Sequence, residues 1–177
     1  MKHISLNDEK RILDVGCGSG LQMYELLSHH PSIKITGVDL SDEMLKKARD
    51  KLSTFPPERY KIIRGDVKDI KFRNNFDRVI MIDLLGHLND PLKVCKKLYS
   101  ALKKDGRMVI ITPSECCLYR VLKYPFMAYK PPTRFYSKKE IRELLNNAGF
   151  NKIYFDKIKL FDLPFVPTEE HVAIAVK

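Results

Sequence analysis

A turn rich in glycine stands where a buried strand would end and a helix would begin. Residues 13–21 read LDVGCGSGL, with Gly16, Gly18 and Gly20 at alternate positions and an acid at Asp14. Glycine lets a ligand approach the backbone closely, near the start of the following helix. An acidic side chain in such a turn repels a pyrophosphate and attracts a cation. The stretch therefore predicts a site for a positively charged, nucleoside-type ligand.

Two common phosphate-binding turns fit this stretch poorly. A P-loop ends in Gly-Lys-Ser/Thr, whereas Leu21 and Gln22 follow Gly20. The dinucleotide pattern G-x-G-x-x-G places its third glycine at residue 21, which is Leu21. The P-loop is excluded, and an NAD-dependent enzyme stays a minor alternative.

Three further acids follow or end apolar runs: Asp39 in IKITGVD, Asp66 in YKIIRGD and Asp83 in FDRVIMID. The carboxyl ends of parallel strands share one edge of a sheet, and ligands bind there.

Short apolar segments alternate with helical patterns along most of the chain, as in a doubly wound α/β fold with a parallel sheet. The first five strands are predicted at 11–15, 33–39, 60–66, 76–83 and 107–113. Helices are predicted at 19–29, 41–53 and 89–104, and another between a cap at Ser137 and a stop at Gly149. NKIYFDKIKLF and EEHVAIAVK supply two more strands, for seven in total.

The net charge of +10 is unevenly placed. Residues 93–139 hold twelve Lys or Arg against Asp105 and Glu115, so the rest of the chain is neutral. This indicates either a face for an anionic partner or a solvated helix face. The four cysteines lack the spacing of a zinc site and are expected to be reduced thiols. No apolar segment is long enough to span a membrane, so we expect a cytoplasmic protein without a metal.

Four motifs in order make the chain resemble the class I S-adenosylmethionine-dependent methyltransferases over nearly its whole length. They read LDVGCGSG, GVDLSDEML, IRGDV and FDRVIMIDLLGHLNDP. The stretch RFYSKKEIRELLNNAGF resembles the last helix of the branch that includes ubiquinone- and menaquinone-type enzymes. The resemblance implies one domain over residues 1–177. It also implies a three-layer sandwich around a seven-stranded, mostly parallel, doubly wound sheet with an antiparallel last strand.

The same resemblance implies S-adenosyl-L-methionine as cofactor and S-adenosyl-L-homocysteine as product. It places Gly16, Cys17, Gly18 and Gly20 under the methionine part of the cofactor and Asp14 beside its ammonium group.

For the nucleoside part, the resemblance assigns Asp39 to both ribose hydroxyls and Asp66 to the exocyclic amine of adenine. The remaining surroundings of the ring are assigned to Leu40, Val67, Asp83 and Leu84.

Methyl transfer from a sulfonium is a one-step displacement that needs an acceptor held in line and water excluded. A dedicated base is required only when the acceptor is protonated at the working pH. His87, a few residues after the fourth predicted strand, is the candidate base or acceptor contact. The Asn/Asp-Pro-Pro-aromatic motif of enzymes that methylate exocyclic amines of bases is replaced here by Asp83-Leu84-Leu85-Gly86.

The stretch 114–136 combines aromatic residues with lysines and arginines, and we interpret it as an insertion that covers the acceptor. About ten residues precede the first strand, fewer than in many relatives, so we expect an open site closed by this insertion, a partner chain or a large substrate.

The main hypothesis is a methyltransferase for a small or medium-sized acceptor. One alternative is an RNA or nucleotide methyltransferase that uses the basic segment 93–139, and another is a non-catalytic cofactor-binding subunit of a partner. The sequence leaves the oligomeric state open.

Overall fold

The computed structural model describes residues 10–113, 134–159 and 169–177. The strands in these ranges are β1 (Arg11–Val15), β2 (Lys34–Asp39), β3 (Tyr60–Arg64), β4 (Phe76–Ile82), β5 (Leu102–Pro113), β6 (Lys152–Lys159) and β7 (Glu169–Val176). The helices are α1 (Leu21–His29), α2 (Asp42–Leu52), α3 (Pro91–Ala101) and α4 (Lys138–Ala148). Three single 3-10 turns lie at Pro57–Arg59, Val67–Asp69 and Leu85–His87.

The strands form one sheet in the order β3-β2-β1-β4-β5-β7-β6. β1 to β5 pair in parallel, and β7 runs antiparallel to both β5 and β6. The predicted fold class, with its antiparallel last strand, is confirmed. The strand order reverses where β1 pairs with β2 on one side and β4 on the other, and ligands of open α/β sheets bind at such a point.

Apolar residues alternate between the two faces of the sheet and build two separate cores. The first core joins β1, β4 and β5 to α3 and α4 through residues such as Leu13, Met81, Ile110, Leu98 and Leu145. The second core lies under α1 and α2 and includes Ile12, Ile35, Met23, Leu26 and Leu45. Two helical layers with a sheet between them make the predicted sandwich.

Local sequence explains where the helices begin and end. The Ser41 side chain accepts a hydrogen bond from Met44 N at the start of α2. At α4, Ser137 and Glu140 form a capping box, in which each side chain accepts the other's backbone N–H. The helix ends at Gly149, which adopts a left-handed conformation with φ 110°.

The predicted helix over 89–104 is too long at its end. Helix α3 stops at Ala101, and Leu102 already belongs to β5, where it pairs with Phe76. Burial explains the difference, because Leu102 is fully buried between the sheet and the helices. β5 shifts its register against β4 between Leu102 and Arg107, where Asp105 has φ 61°.

Candidate functional site

The glycine turn joins β1 to α1 at the edge where the parallel strands end. Gly16, Gly18 and Gly20 all have left-handed backbone conformations, with φ 71°, 51° and 73°. Residues other than glycine rarely adopt such backbone angles. The backbone N–H groups of Gly16 and Cys17 both donate to Val38 O, at 2.8 and 3.1 Å, which ties the turn to the end of β2.

Two of these glycines also lie against other elements. A Cβ atom added at Gly20 would lie 3.0 Å from Ala48 Cβ of α2, and one added at Gly16 would lie 3.1 Å from a Leu84 methyl group. The turn is therefore held between α2 and the segment after β4, with its left-handed bends fixed by contacts on both sides.

Asp14 brings a buried carboxyl group to this turn. Its side chain is 2% exposed, and its Oδ2 accepts no hydrogen bond from the described residues. Burial, followed by the negative charge of Asp39, raises the pKa of Asp14 to about 7. An unpaired buried carboxylate is costly, so this position favours a cation or a proton.

Asp39 lies at the end of β2 and contacts the turn directly. Gly18 N donates to Asp39 Oδ2 and Ser41 N donates to Asp39 Oδ1, both at 2.9 Å. Each carboxylate oxygen can accept a second hydrogen bond, so the side chain keeps capacity for two donors such as hydroxyl groups.

The Cys17 side chain lies in the second core instead of on the open side of the turn. Burial, together with the charges of Asp14 and Asp39, raises the pKa of its thiol above the ordinary range. A Cβ atom added at Gly37 would lie 2.8 Å from Cys17 Sγ and 2.5 Å from Met23 Sδ. The sequence analysis missed this supporting role of Gly37, although an isolated glycine inside a strand signals close packing.

Asp66 and Val67 follow β3 at the same edge. Asp66 Oδ1 accepts from Lys68 N at 2.9 Å, and its Oδ2 lies 3.0 Å from Lys68 Nζ. The backbone hydrogen bond, with the Lys68 ammonium, lowers the pKa of Asp66. Lys68 is a second contact that the sequence analysis missed. Val67 is buried, whereas the Leu40 side chain is 62% exposed and available to a ligand.

Asp83 directly follows β4 in a left-handed conformation, with φ 52°. Its backbone N–H donates to Ile111 O of β5 at 2.9 Å. A non-glycine residue in this region carries strain of about 1–3 kcal/mol, and such strain is common at ligand sites. Leu84 packs on the first core and covers Gly16.

His87 ends the 3-10 turn after β4 and is half-buried. Its backbone N–H donates to Leu84 O at 2.9 Å. The neighbouring Gly86 O accepts from Arg134 N at 3.2 Å. β5 ends at Pro113 and the described chain resumes at Arg134, so the predicted insertion leaves and returns at the edge that holds His87. Residues 114–133 of that insertion lie outside the described residues.

The structure thus brings the strand-end acids and the glycine turn to one edge of the sheet. Among residues 10–113, 134–159 and 169–177, no group of three or more His, Cys, Asp or Glu side chains could hold a metal ion. None of the helices in these ranges is long and apolar enough to cross a bilayer.

Comparison with known proteins extends these observations. A family described as "Methyltransferase domain" matches residues 6–164. The chain is 32% identical to the malonyl-[acyl-carrier protein] O-methyltransferase of Priestia megaterium, over 97% of this chain and 66% of that protein. It is 34% identical to a tRNA U34 carboxymethyltransferase of Helicobacter pylori, over 63% of this chain and 44% of that protein. The chain thus spans less than two thirds of the length of either relative.

A solved structure of Haemonchus contortus phosphoethanolamine N-methyltransferase 2, in complex with S-adenosyl-L-methionine, has the same fold. The TM-score is 0.79 at 20% identity, over 99% of this chain and 50% of that protein. At this identity the likeness concerns the fold alone.

Proposed function

The chain belongs to the class I S-adenosylmethionine-dependent methyltransferase family, and we propose that it moves a methyl group to an acceptor by direct in-line displacement. The family's cofactor supplies, when bound, a methyl group activated on a cationic sulfonium. The observation that carries the proposal is the buried Asp14 Oδ2, which has no hydrogen-bond donor among the described residues, beside three glycines in left-handed conformations. Such a binding site favours a positively charged ligand.

The residues of the turn bind and orient the cofactor in this proposal. Gly16, Gly18 and Gly20 leave room for the methionine part, with Cys17 contributing only backbone atoms because its side chain is in the core. The Asp14 carboxylate offsets the positive charge of the ammonium group, and its own burial becomes less costly when that cation is present.

In this proposal, residues at the ends of the next strands bind the nucleoside part of the cofactor. The remaining lone pairs of the Asp39 carboxylate accept from the ribose hydroxyls. Asp66 binds the exocyclic amine of adenine after exchange of its Lys68 contact, which is at the surface. The other proposed contacts to the ring come from the exposed Leu40, the buried Val67, and Asp83 with Leu84.

We propose a small or medium-sized acceptor, held near His87 and covered by the segment 114–136. The return of the chain at Gly86 supports this, because it brings the end of that segment beside His87. In this proposal His87 contacts the acceptor. His87→Ala should therefore raise the KM for the acceptor and leave cofactor affinity unchanged, whereas the remote His29→Ala should change neither.

An RNA acceptor is a second candidate, supported by the net charge of +10 and by the tRNA-modifying relative. A third possibility is a cofactor-binding subunit that requires a partner. We further propose one domain over residues 1–177 and a cytoplasmic location, which the buried free thiols of Cys17 and Cys95 support.

The test is calorimetry with S-adenosylmethionine, S-adenosylhomocysteine and NAD on the wild-type chain and on Asp39→Asn. The variant keeps the side-chain shape but loses the charge, so we expect at least a tenfold loss of affinity for both sulfur nucleosides, about 1.4 kcal/mol. Asp50→Asn, an exposed position on α2, is the matched control. Affinity for NAD alone would contradict the proposal.

The class of acceptor is then identified by measuring the transfer of labelled methyl groups to the fractions of a cell extract. Label in small metabolites supports the first candidate, and label in RNA supports the second. Cofactor binding without transfer by the isolated chain would support the subunit.

A further inference from the structure

A groove runs along the outer side of α3, beside the connection between β3 and β4. Two adjoining cavities of about 470 and 280 Å³ share Lys97 and Ser100 in their walls. The larger is also lined by Asp90, Leu92, Lys93 and Lys96, and the smaller by Ile70, Lys71, Phe72 and Arg73. We refer to these two cavities together as the α3 groove.

The cations of the α3 groove come from two separate elements. Lys93 and Lys96 project from α3, while Lys71 and Arg73 project from the connection on the opposite side, and all four are exposed. Among the described residues, none of these four side chains forms an ion pair with a carboxylate. Lys97 closes the groove at one point, where its Nζ donates to Ile70 O at 3.3 Å. Each of the two cavities therefore carries two exposed cations that have no ion-pair partner among the described residues.

This arrangement differs from an ordinary solvated helix face, because the cations come from two elements, α3 and the β3–β4 connection, whose cavities adjoin at Lys97 and Ser100. Among the described residues that line the groove, Asp90 is the only acid, and its carboxylate already caps α3 by accepting from Lys93 N at 3.0 Å. An elongated anion that spans both cavities would thus contact Lys or Arg in each of them.

The chemistry of the lining favours phosphate over a protein partner. Stable protein interfaces have aromatic or apolar anchors at their centre and few lysines there. Here the Phe72 ring packs edge-on against Phe76, and Leu92 packs on the first core, so lysine and arginine dominate the accessible surface. Phosphate contacts use Lys and Arg, and a sequence pI of about 9.4 is typical of domains that bind nucleic acid.

One end of the groove lies near the proposed cofactor site. Lys93 is close enough to Asp66 for its charge to contribute to the lowered pKa of that carboxyl group. A strand bound in the groove would therefore run toward the edge of the sheet where β3 and β4 end.

We propose that the α3 groove binds the phosphate backbone of single-stranded RNA, through Lys71, Arg73, Lys93 and Lys96. This binding does not depend on the proposed methyl transfer, since none of the four cations belongs to the proposed cofactor or acceptor contacts.

The test is fluorescence anisotropy with a labelled single-stranded RNA of mixed sequence over a series of salt concentrations. Four phosphate contacts predict a slope of about −3 for log affinity against log salt, at roughly −0.7 per contact. The triple variant Arg73→Glu, Lys93→Glu and Lys96→Glu should bind at least tenfold more weakly with a slope nearer −1.

The matched control reverses the same number of exposed charges elsewhere, at Lys46, Arg49 and Lys61. It should keep the slope and most of the affinity. Thermal unfolding verifies that both triple variants fold. Asp39→Asn, which tests the cofactor site, should bind RNA like the wild type, so a failure of one proposal is distinguishable from a failure of the other.

Three results would overturn the inference: no salt-dependent binding by the wild type, equal loss in both triple variants, or equal competition by polyglutamate. The second would mean that overall charge alone attracts RNA. The third would mean that the groove takes an acidic protein segment as readily as a phosphate backbone.

Discussion

Two carboxyl groups meet the glycine turn in different environments. Asp39 is satisfied by two backbone N–H groups, whereas Asp14 is buried with an unpaired oxygen and a pKa of about 7. Near neutral pH the Asp14 carboxyl therefore exchanges a proton easily, and a bound cation would displace that proton. The two acids thus lie in different electrostatic environments at the same turn.

The raised pKa of Asp14 predicts a dependence of stability on pH. Below about pH 3.8, its ordinary pKa, both folded and unfolded chains are protonated. As the pH rises from about 4 to 7 the unfolded chain ionises first, so this group increasingly favours unfolding, and above the folded pKa the effect is constant.

Asp14→Asn removes that contribution. The free energy of unfolding of the variant, relative to the wild type, should increase between about pH 4 and pH 7 by up to about 4 kcal/mol and then level off. Urea unfolding at a series of pH values measures it. Parallel curves for the two proteins across this range would contradict the burial argument.

At the residue scale, the sequence was sufficient to place the strand-end acids but not to describe their partners. Asp39, Asp66 and Asp83 end three of the strands predicted from the sequence, and in the structure all three lie at the carboxyl edge of the sheet. The contact of Lys68 with Asp66 is local, two residues along the chain, and was overlooked in the sequence. That Asp14 Oδ2 has no hydrogen-bond donor among the described residues depends on packing between distant segments and leaves no local signal.

At the scale of the secondary-structure elements, β2 supports the glycine turn through close packing at Gly37. Gly37→Ala would place a Cβ atom within 2.5 Å of Met23 Sδ and 2.8 Å of Cys17 Sγ. We expect a loss of about 1–3 kcal/mol in the free energy of unfolding, because overpacking displaces buried side chains. Urea denaturation checks this.

Gly65→Ala is the matched control, since its added Cβ would have no neighbour within 4 Å. It should change stability by less than about 0.5 kcal/mol. Equal effects at the two glycines would contradict the prediction, because the loss would then not depend on the contact with Met23 and Cys17.

Element boundaries followed the sequence where local chemistry determines them. Ser137 with Glu140, and then Gly149, delimit α4 by hydrogen bonds and backbone angles that those residues provide themselves. The end of α3 was mispredicted because Leu102 fits a helical stripe equally well, and its pairing with Phe76 across the sheet decides the outcome.

For the whole molecule, the sheet separates two cores that should respond independently. Ile35 of β2 lies in the second core and Ile110 of β5 in the first, with β1 and β4 between their strands. Three strand spacings put these strands about 14 Å apart. Substitutions at the two positions should therefore have additive effects.

We expect Ile35→Val and Ile110→Val each to lower the free energy of unfolding by about 0.5–1.5 kcal/mol, and the double variant to match their sum within about 0.5 kcal/mol. Ile110 and Met81 are cross-strand partners in one core, so Ile110→Val and Met81→Leu serve as a control pair. Their effects on the free energy of unfolding should not be additive. Strong coupling between Ile35 and Ile110 would contradict the two-core description.

The α3 groove could not be predicted from the composition of the chain. The excess charge of residues 93–139 was visible in the sequence, but Lys71 and Arg73 lie outside that segment. Only the packing of the β3–β4 connection against α3 brings the two groups of cations together.

The position of β7 has a consequence for synthesis on the ribosome. β6 emerges first, yet in the described sheet it is attached through β7, which inserts beside β5 afterwards. Until residues 169–176 have left the exit tunnel, the nascent chain carries a bare β5 edge that can recruit strands from neighbouring chains.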